Sequence, residues 1–146
     1  MTIYTIGFTQ KTAQQFFDLI LSNEIKLLID VRLNNVSQLA GFSKGSDLKY
    51  FLSEICACDY LHCVDFAPAK EILNNYKGKK ISWAEYEEQY KLLISERGAI
   101  RGFFEKHEQY EKICLLCSEP TAENCHRRLL AKMITERYPQ IIIQHI

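Results

Sequence analysis

This sequence predicts a single α/β domain over residues 1–146, in three layers, with a mainly parallel central sheet and helices on both faces. Three observations predict it. The chain alternates short apolar runs with segments of helical periodicity. Three of those runs, at 3–6, 27–31 and 113–116, are apolar almost without alternation, as strands covered on both faces are. The length of 146 residues is that of one domain with a sizeable core, and no linker or repeat divides it.

In chain order, Ile3-Tyr4-Thr5-Ile6 is a β-type run closed by Gly7. Thr12 and Gln15 form a capping-box pair, behind which Ala13, Phe16, Phe17, Ile20 and Leu21 share a helical face. The strand 27–31 runs into Arg32, and residues 34–45 are polar and glycine-containing, as a loop is. Leu48, Phe51, Leu52 and Ile55 mark a second helix, and 60–64 a short strand. Residues 68–80, with Asn74-Asn75 and Gly78, read as an exposed excursion. Ser82 and Glu85 repeat the capping box, and Trp83, Tyr86, Tyr90 and Leu93 follow at helical spacing, read as core packing. Gly98 and Gly102 split this region into two helices. After the strand ending at Cys117 come a loop, a helix over 124–138 stopped by Pro139, and a strand over 141–146. Runs 3–6, 27–31 and 113–116 are expected to be neighbouring central strands, with right-handed crossovers.

Composition excludes several function classes. Eighteen Lys and Arg balance eighteen Asp and Glu, so non-specific nucleic-acid binding is not favoured. No apolar run approaches a membrane span, and the start MTIYTIGF lacks the pattern of a signal peptide. Six cysteines in a chain too large to need staples are expected as thiols in the cytoplasm.

In open parallel sheets, ligands bind beyond the carboxyl ends of the strands. Three strand ends carry unusual residues: Gly7-Phe8-Thr9, Asp30-Val31-Arg32 and Cys117-Ser118-Glu119. Asp30 and Arg32 either pair locally or face a ligand. Cys125, His126 and Arg127 fall at a helix start, with Asn124 or Thr121 as caps, where the first-turn amides favour a thiolate at Cys125. Cys125 is therefore the expected most acidic thiol, with Cys117 as its competitor. Arg127 offers a fork for a carboxylate or phosphate, or else braces Glu119 or Asp30. The expected catalytic group is Cys117, Glu119, Cys125 and His126; the expected substrate-binding group is Thr9, Asp30, Arg32 and Arg127. Arg32, Cys117, Glu119, Cys125 and Arg127 are expected in one cleft. His62 and His145 read as structural.

No metal and no cofactor is expected. Cys114 and Cys117 have half a zinc spacing, but three positions along a strand turn them to opposite faces. Cys125 and His126 are adjacent, and neighbours on a helix diverge. A phosphatase-type Cys-x5-Arg loop fails at Glu123 and Ala131, and neither a Gly-rich phosphate loop nor a glycine-bearing rhodanese cysteine loop is present.

Thr5-Ile6-Gly7, Asp30-Val31-Arg32, Trp83-x-x-Tyr86 and Cys117-x-Glu119 with Cys125-His126-Arg127 together resemble a bacterial and archaeal family, domain of unknown function 488 (DUF488). The family's first motif reads Thr-Ile-Gly-His-Ser; here Phe8 and Thr9 stand in its last two places. The resemblance implies one α/β domain and names no substrate. From the residues, two functions are open: an enzyme acting on a small anionic or nucleotide-like substrate, or a nucleic-acid or nucleotide binding module without catalysis. The oligomeric state is not legible.

Overall fold

Thr2–Gly7 (β1) is β-branched and aromatic with every residue after Thr2 buried, so it can only be an interior strand. The computed structural model describes residues 1–36 and 40–146. After β1 come α1 (Ala13–Ser22), β2 (Leu27–Asp30), α2 (Gly45–Cys56), β3 (Asp59–His62), α3 (Lys70–Lys77) and α4 (Trp83–Arg97). Then follow α5 (Phe103–His107), β4 (Lys112–Cys117), α6 (His126–Arg137) and β5 (Ile142–His145). The five strands pair in the order β3-β2-β4-β1-β5, every pair parallel. The expected mainly parallel sheet is thus entirely parallel, with β2, β4 and β1 as its central neighbours.

The strands' period of two divides the core into two halves. Ile3, Ile29, Ile113, Leu115 and Cys117 face α4, α5 and α6. Tyr4, Ile6, Leu28, Cys114 and Leu116 face α1 and α2. Cys114 and Cys117 do lie on opposite faces. Each fully buried Ile or Leu contributes roughly 1.5–3 kcal/mol of transfer free energy, which is what holds the three layers together.

Both capping boxes form, Thr12 with Gln15 and Ser82 with Glu85. On α1, Phe16, Phe17 and Ile20 are buried as expected, while Leu21 is exposed. Helix α4 ends at Gly98 in the left-handed conformation (φ 61°), the usual glycine solution at a helix C-terminus. Tyr90 shows how that helix is locked: its buried hydroxyl donates to the Phe66 carbonyl at 2.7 Å. Tyr90→Phe strands that carbonyl and should lower stability by about 1–1.5 kcal/mol in urea denaturation, with the fold unchanged.

Some expected boundaries move. The third strand starts at Asp59 and ends at His62 rather than covering 60–64. The excursion at 68–80 contains a real helix, α3, whose Ile72 and Tyr76 pack on the core. The expected loop at 34–45 includes a 3-10 turn at Gly41–Ser43, and its residues 37–39 lie outside the described residues. Helix α6 begins two residues later than expected, at His126. Among the described residues no helix is long and apolar enough to cross a membrane.

Candidate functional site

The carboxyl ends of β1, β2 and β4 lie side by side because the three strands pair in parallel, with Gly7 opposite Cys117. Pro120 brings no N–H to the chain just beyond β4, so the ladder is not extended there and the chain turns back to α6. Over these ends opens a cleft of about 160 Å³, lined by Arg32, Cys117, Ser118, Glu119, Cys125 and His126 on one side. Tyr76, Trp83 and Tyr86 line the other. Trp83 and Tyr86 stack at 4.9 Å and 17°, and Tyr90 continues the row to the His126 ring at 5.5 Å. The aromatic set expected as core is core at Tyr86 and Tyr90, with Trp83 packed against it, and Trp83 and Tyr86 also line the cleft.

On the cleft floor, Cys117, Cys125 and His126 bring their sulfurs and a ring nitrogen within 4.8 Å of one another, all three buried. Cys125 is the N-cap of α6, and its backbone is extended (φ −136°, ψ 136°), so it precedes the helix instead of belonging to it. That corrects the expectation that Cys125 and His126 diverge: only helical neighbours must. It also corrects the expected caps, since neither Asn124 nor Thr121 occupies the position, and Cys125 makes no capping bond through its side chain.

His126 Nε2 lies 2.9 Å from the Val31 carbonyl. A carbonyl only accepts, so Nε2 carries the hydrogen and Nδ1, 3.6 Å from Cys117 Sγ, presents a lone pair in the neutral ring. Burial pushes the His126 pKa down and favours that neutral form. The Cys117 thiol is lowered by a hydrogen bond from Cys125, by the Arg127 charge and by the Ser118 and Glu119 amides, against the opposing effect of burial. Cys125 is pushed strongly up, first by that same bond to Cys117 and then by burial. The expectation that Cys125 is the most acidic thiol is thus reversed. Of the two neighbouring sulfurs, Cys117 is the one whose charged form the Arg127 charge and the Ser118 and Glu119 amides favour.

Arg32 is the second feature of the cleft. Its Nε and Nη2 grip both Asp30 oxygens at 2.8 and 2.6 Å, and Nη2 also donates to the Ser43 carbonyl. Tyr60 donates its hydroxyl to Asp30 at 2.7 Å. Burial and then Asp30 push the Tyr60 phenol up to about 12, so it stays a donor. Burial works against the charge on Arg32, but its bonds to Asp30 outweigh this and raise its pKa. The Arg32 guanidinium also lies over the Phe8 ring at 5.1 Å, and His62 holds its carbonyl at 2.8 Å. Nη1 has no partner among the described residues, although the residue is 3% exposed and lines the cleft.

Of the expected site residues, Arg32, Cys117, Glu119, Cys125 and His126 do line one cleft, and Thr9, Asp30 and Arg127 do not. Asp30 is fully buried under Arg32 and positions it. Thr9 ties its hydroxyl and its amide to the Ser118 carbonyl. Arg127, 1% exposed, donates Nη1 to the Glu119 carbonyl at 2.7 Å, so the bracing role is the one seen. Thr9 and Arg127 thereby fix the loop that carries Ser118 and Glu119. Sequence reasoning passed over Tyr76 and Lys77 at the cleft; only the amphipathic pairing of Ile72 with Tyr76 signalled that this segment folds back onto the core.

Among the described residues, Cys117, Cys125 and His126 form a donor set that could hold a cation. No curated protein and no solved structure matches the chain. The sequence model of a family described as domain of unknown function DUF488 matches residues 12–134. The matched span holds the Asp30-Val31-Arg32, Cys117-x-Glu119 and Cys125-His126-Arg127 motifs around the cleft, and begins after Thr5-Ile6-Gly7 of β1. It covers well over half of the 146 residues, and the chain belongs to the DUF488 family.

Proposed function

We propose that this chain is an enzyme acting on a small, planar, anionic substrate of nucleotide-like chemistry, with Cys117, Cys125 and His126 as its reacting centre. The observation that carries this reading is the convergence of those three groups on the floor of a cleft walled by Trp83 and Tyr86. A cavity of roughly 150 Å³ holds one benzene-sized ring, so a volume of about 160 Å³ suits a single heterocycle. The rest of such a substrate extends toward exposed Lys77 and Asn34 at the mouth. The unpartnered Nη1 of Arg32 offers a buried cationic donor to a substrate oxygen. Glu119, exposed at the rim, is placed to exchange protons with water. Six free thiols suit a reducing compartment, and we place the working enzyme in the cytoplasm.

Trp83 is the chain's sole tryptophan and lines the cleft, so its fluorescence reports occupancy directly. Titration with free bases, nucleosides, nucleoside monophosphates and aromatic carboxylates should give saturable quenching by one class. Mass spectrometry of the same mixtures should then find a product. Cys117→Ala should retain binding while turnover falls by about 100-fold or more. Saturable binding without any product would make the chain a recognition module instead. No quenching by any class would remove the proposed substrate.

A further inference from the structure

We propose that Cys117 Sγ, Cys125 Sγ and His126 Nδ1 form a three-ligand site for a zinc-class divalent cation, with its fourth coordination position turned to the cleft. The first argument is distance. Zinc bonds of about 2.3 Å to sulfur and about 2.0–2.1 Å to nitrogen, at tetrahedral angles, put S and N about 3.5 Å apart. Cys117 Sγ and His126 Nδ1 stand 3.6 Å apart, and the third donor lies within 4.8 Å of both. The second argument is orientation. A ligating imidazole donates its other N–H to a carbonyl or carboxylate, which fixes the tautomer and aims the lone pair. The Val31 carbonyl does this for His126.

The third argument is what the cluster omits. Cys114, three residues before Cys117, is fully buried on the opposite face of the sheet, and no carboxylate joins the three donors among the described residues. Three protein ligands at a cleft floor leave a position for water or a substrate oxygen, as catalytic zinc sites do, whereas structural sites close with four. All three ligands line the cleft, so that position is reachable. The cation would there polarise a substrate oxygen or ready a bound water. This use of the open position rests on the enzyme reading above; the holding of the cation by the three ligands does not.

The test is titration of the reduced, chelator-treated full chain with Co²⁺, followed by optical spectroscopy. One equivalent should bring thiolate-to-cobalt charge transfer and the intense visible bands of a four-coordinate ion, and one equivalent of Zn²⁺ should bleach them. Cys117→Ser and His126→Ala, shown folded by circular dichroism, should each weaken binding beyond the roughly 10–100-fold that losing a supporting hydrogen bond costs a metal site. Should either fail to fold, Cys125→Ser serves the same purpose. Cys114→Ala should leave the stoichiometry and the spectrum as they are. Absence of a stoichiometric cobalt spectrum in the folded wild type overturns the proposal, as does an unchanged spectrum in a folded ligand variant. Turnover that survives complete chelation leaves an enzyme without this metal; a cobalt site without turnover leaves the metal without the enzyme.

Discussion

Replacing Asp30 by alanine should destabilise this protein by about 3–5 kcal/mol, because it leaves the guanidinium of Arg32 buried without its counter-charge. Asp30 is fully buried and Arg32 is 3% exposed, so water has little access to the place of the lost carboxylate. The same change strips the Tyr60 hydroxyl of its acceptor. Urea denaturation of Asp30→Ala, Arg32→Met and the Asp30→Leu/Arg32→Met pair gives the measurement. The double variant should recover much of the loss, since an apolar pair of similar volume removes the stranded charge rather than creating one. A loss below about 1 kcal/mol in Asp30→Ala would mean that water reaches the Asp30 position, and the enclosure of the pair would not stand.

Gly7→Ala should be comparably severe for a different reason. A Cβ at that position would sit 1.6 Å from the Glu119 carbonyl oxygen and 2.6 Å from its carbon, both backbone atoms that cannot swing aside. The expected response is displacement of the Ser118-Glu119 segment and rupture of the Arg127–Glu119 bond. That should cost about 3 kcal/mol or more, at or beyond the upper end of ordinary overpacking. Because Gly7 pairs with Cys117 across β1 and β4, cobalt binding should weaken with stability. Gly41→Ala, where a Cβ meets nothing within 4 Å, is the control and should leave both unchanged. A Gly7→Ala protein as stable as the wild type would show that the close approach of the two chains is not required.

Phe8 and Thr9 bear on how this chain differs from the family's Thr-Ile-Gly-His-Ser motif. Phe8 is buried, with the Arg32 guanidinium over its ring, and does not line the cleft. A cation held over an aromatic face gains about 0.5–2 kcal/mol, so Phe8 helps to hold Arg32 in place. Thr9 retains a hydroxyl and spends it on the Ser118 carbonyl at 2.6 Å. At these two positions the chain uses its side chains to fix neighbours of the cleft.

The layers, the central strands and both capping boxes are legible along the chain because each depends on local spacing. A continuous run such as Leu27-Leu28-Ile29 has no polar side to expose, and Thr12 needs only Gln15 three residues on. The strand ends are legible as a site for the same reason, since a parallel sheet obliges them to meet. Helix α3 is obscured by its asparagines and lysines, with no residue fully buried. What Cys125, Arg127 and Asp30 do is decided elsewhere. The extended backbone that turns Cys125 toward Cys117 and the Glu119 carbonyl that claims Arg127 depend on how the β4–α6 connection folds back, and the Asp30–Arg32 pair is enclosed by Ser43, Tyr60 and Phe8. Periodicity reports which face a residue shares with its neighbours. The partner that meets its polar atom is set by how the chain closes in space, even where that partner is only two residues away, as Arg32 is from Asp30, or eight, as Glu119 is from Arg127.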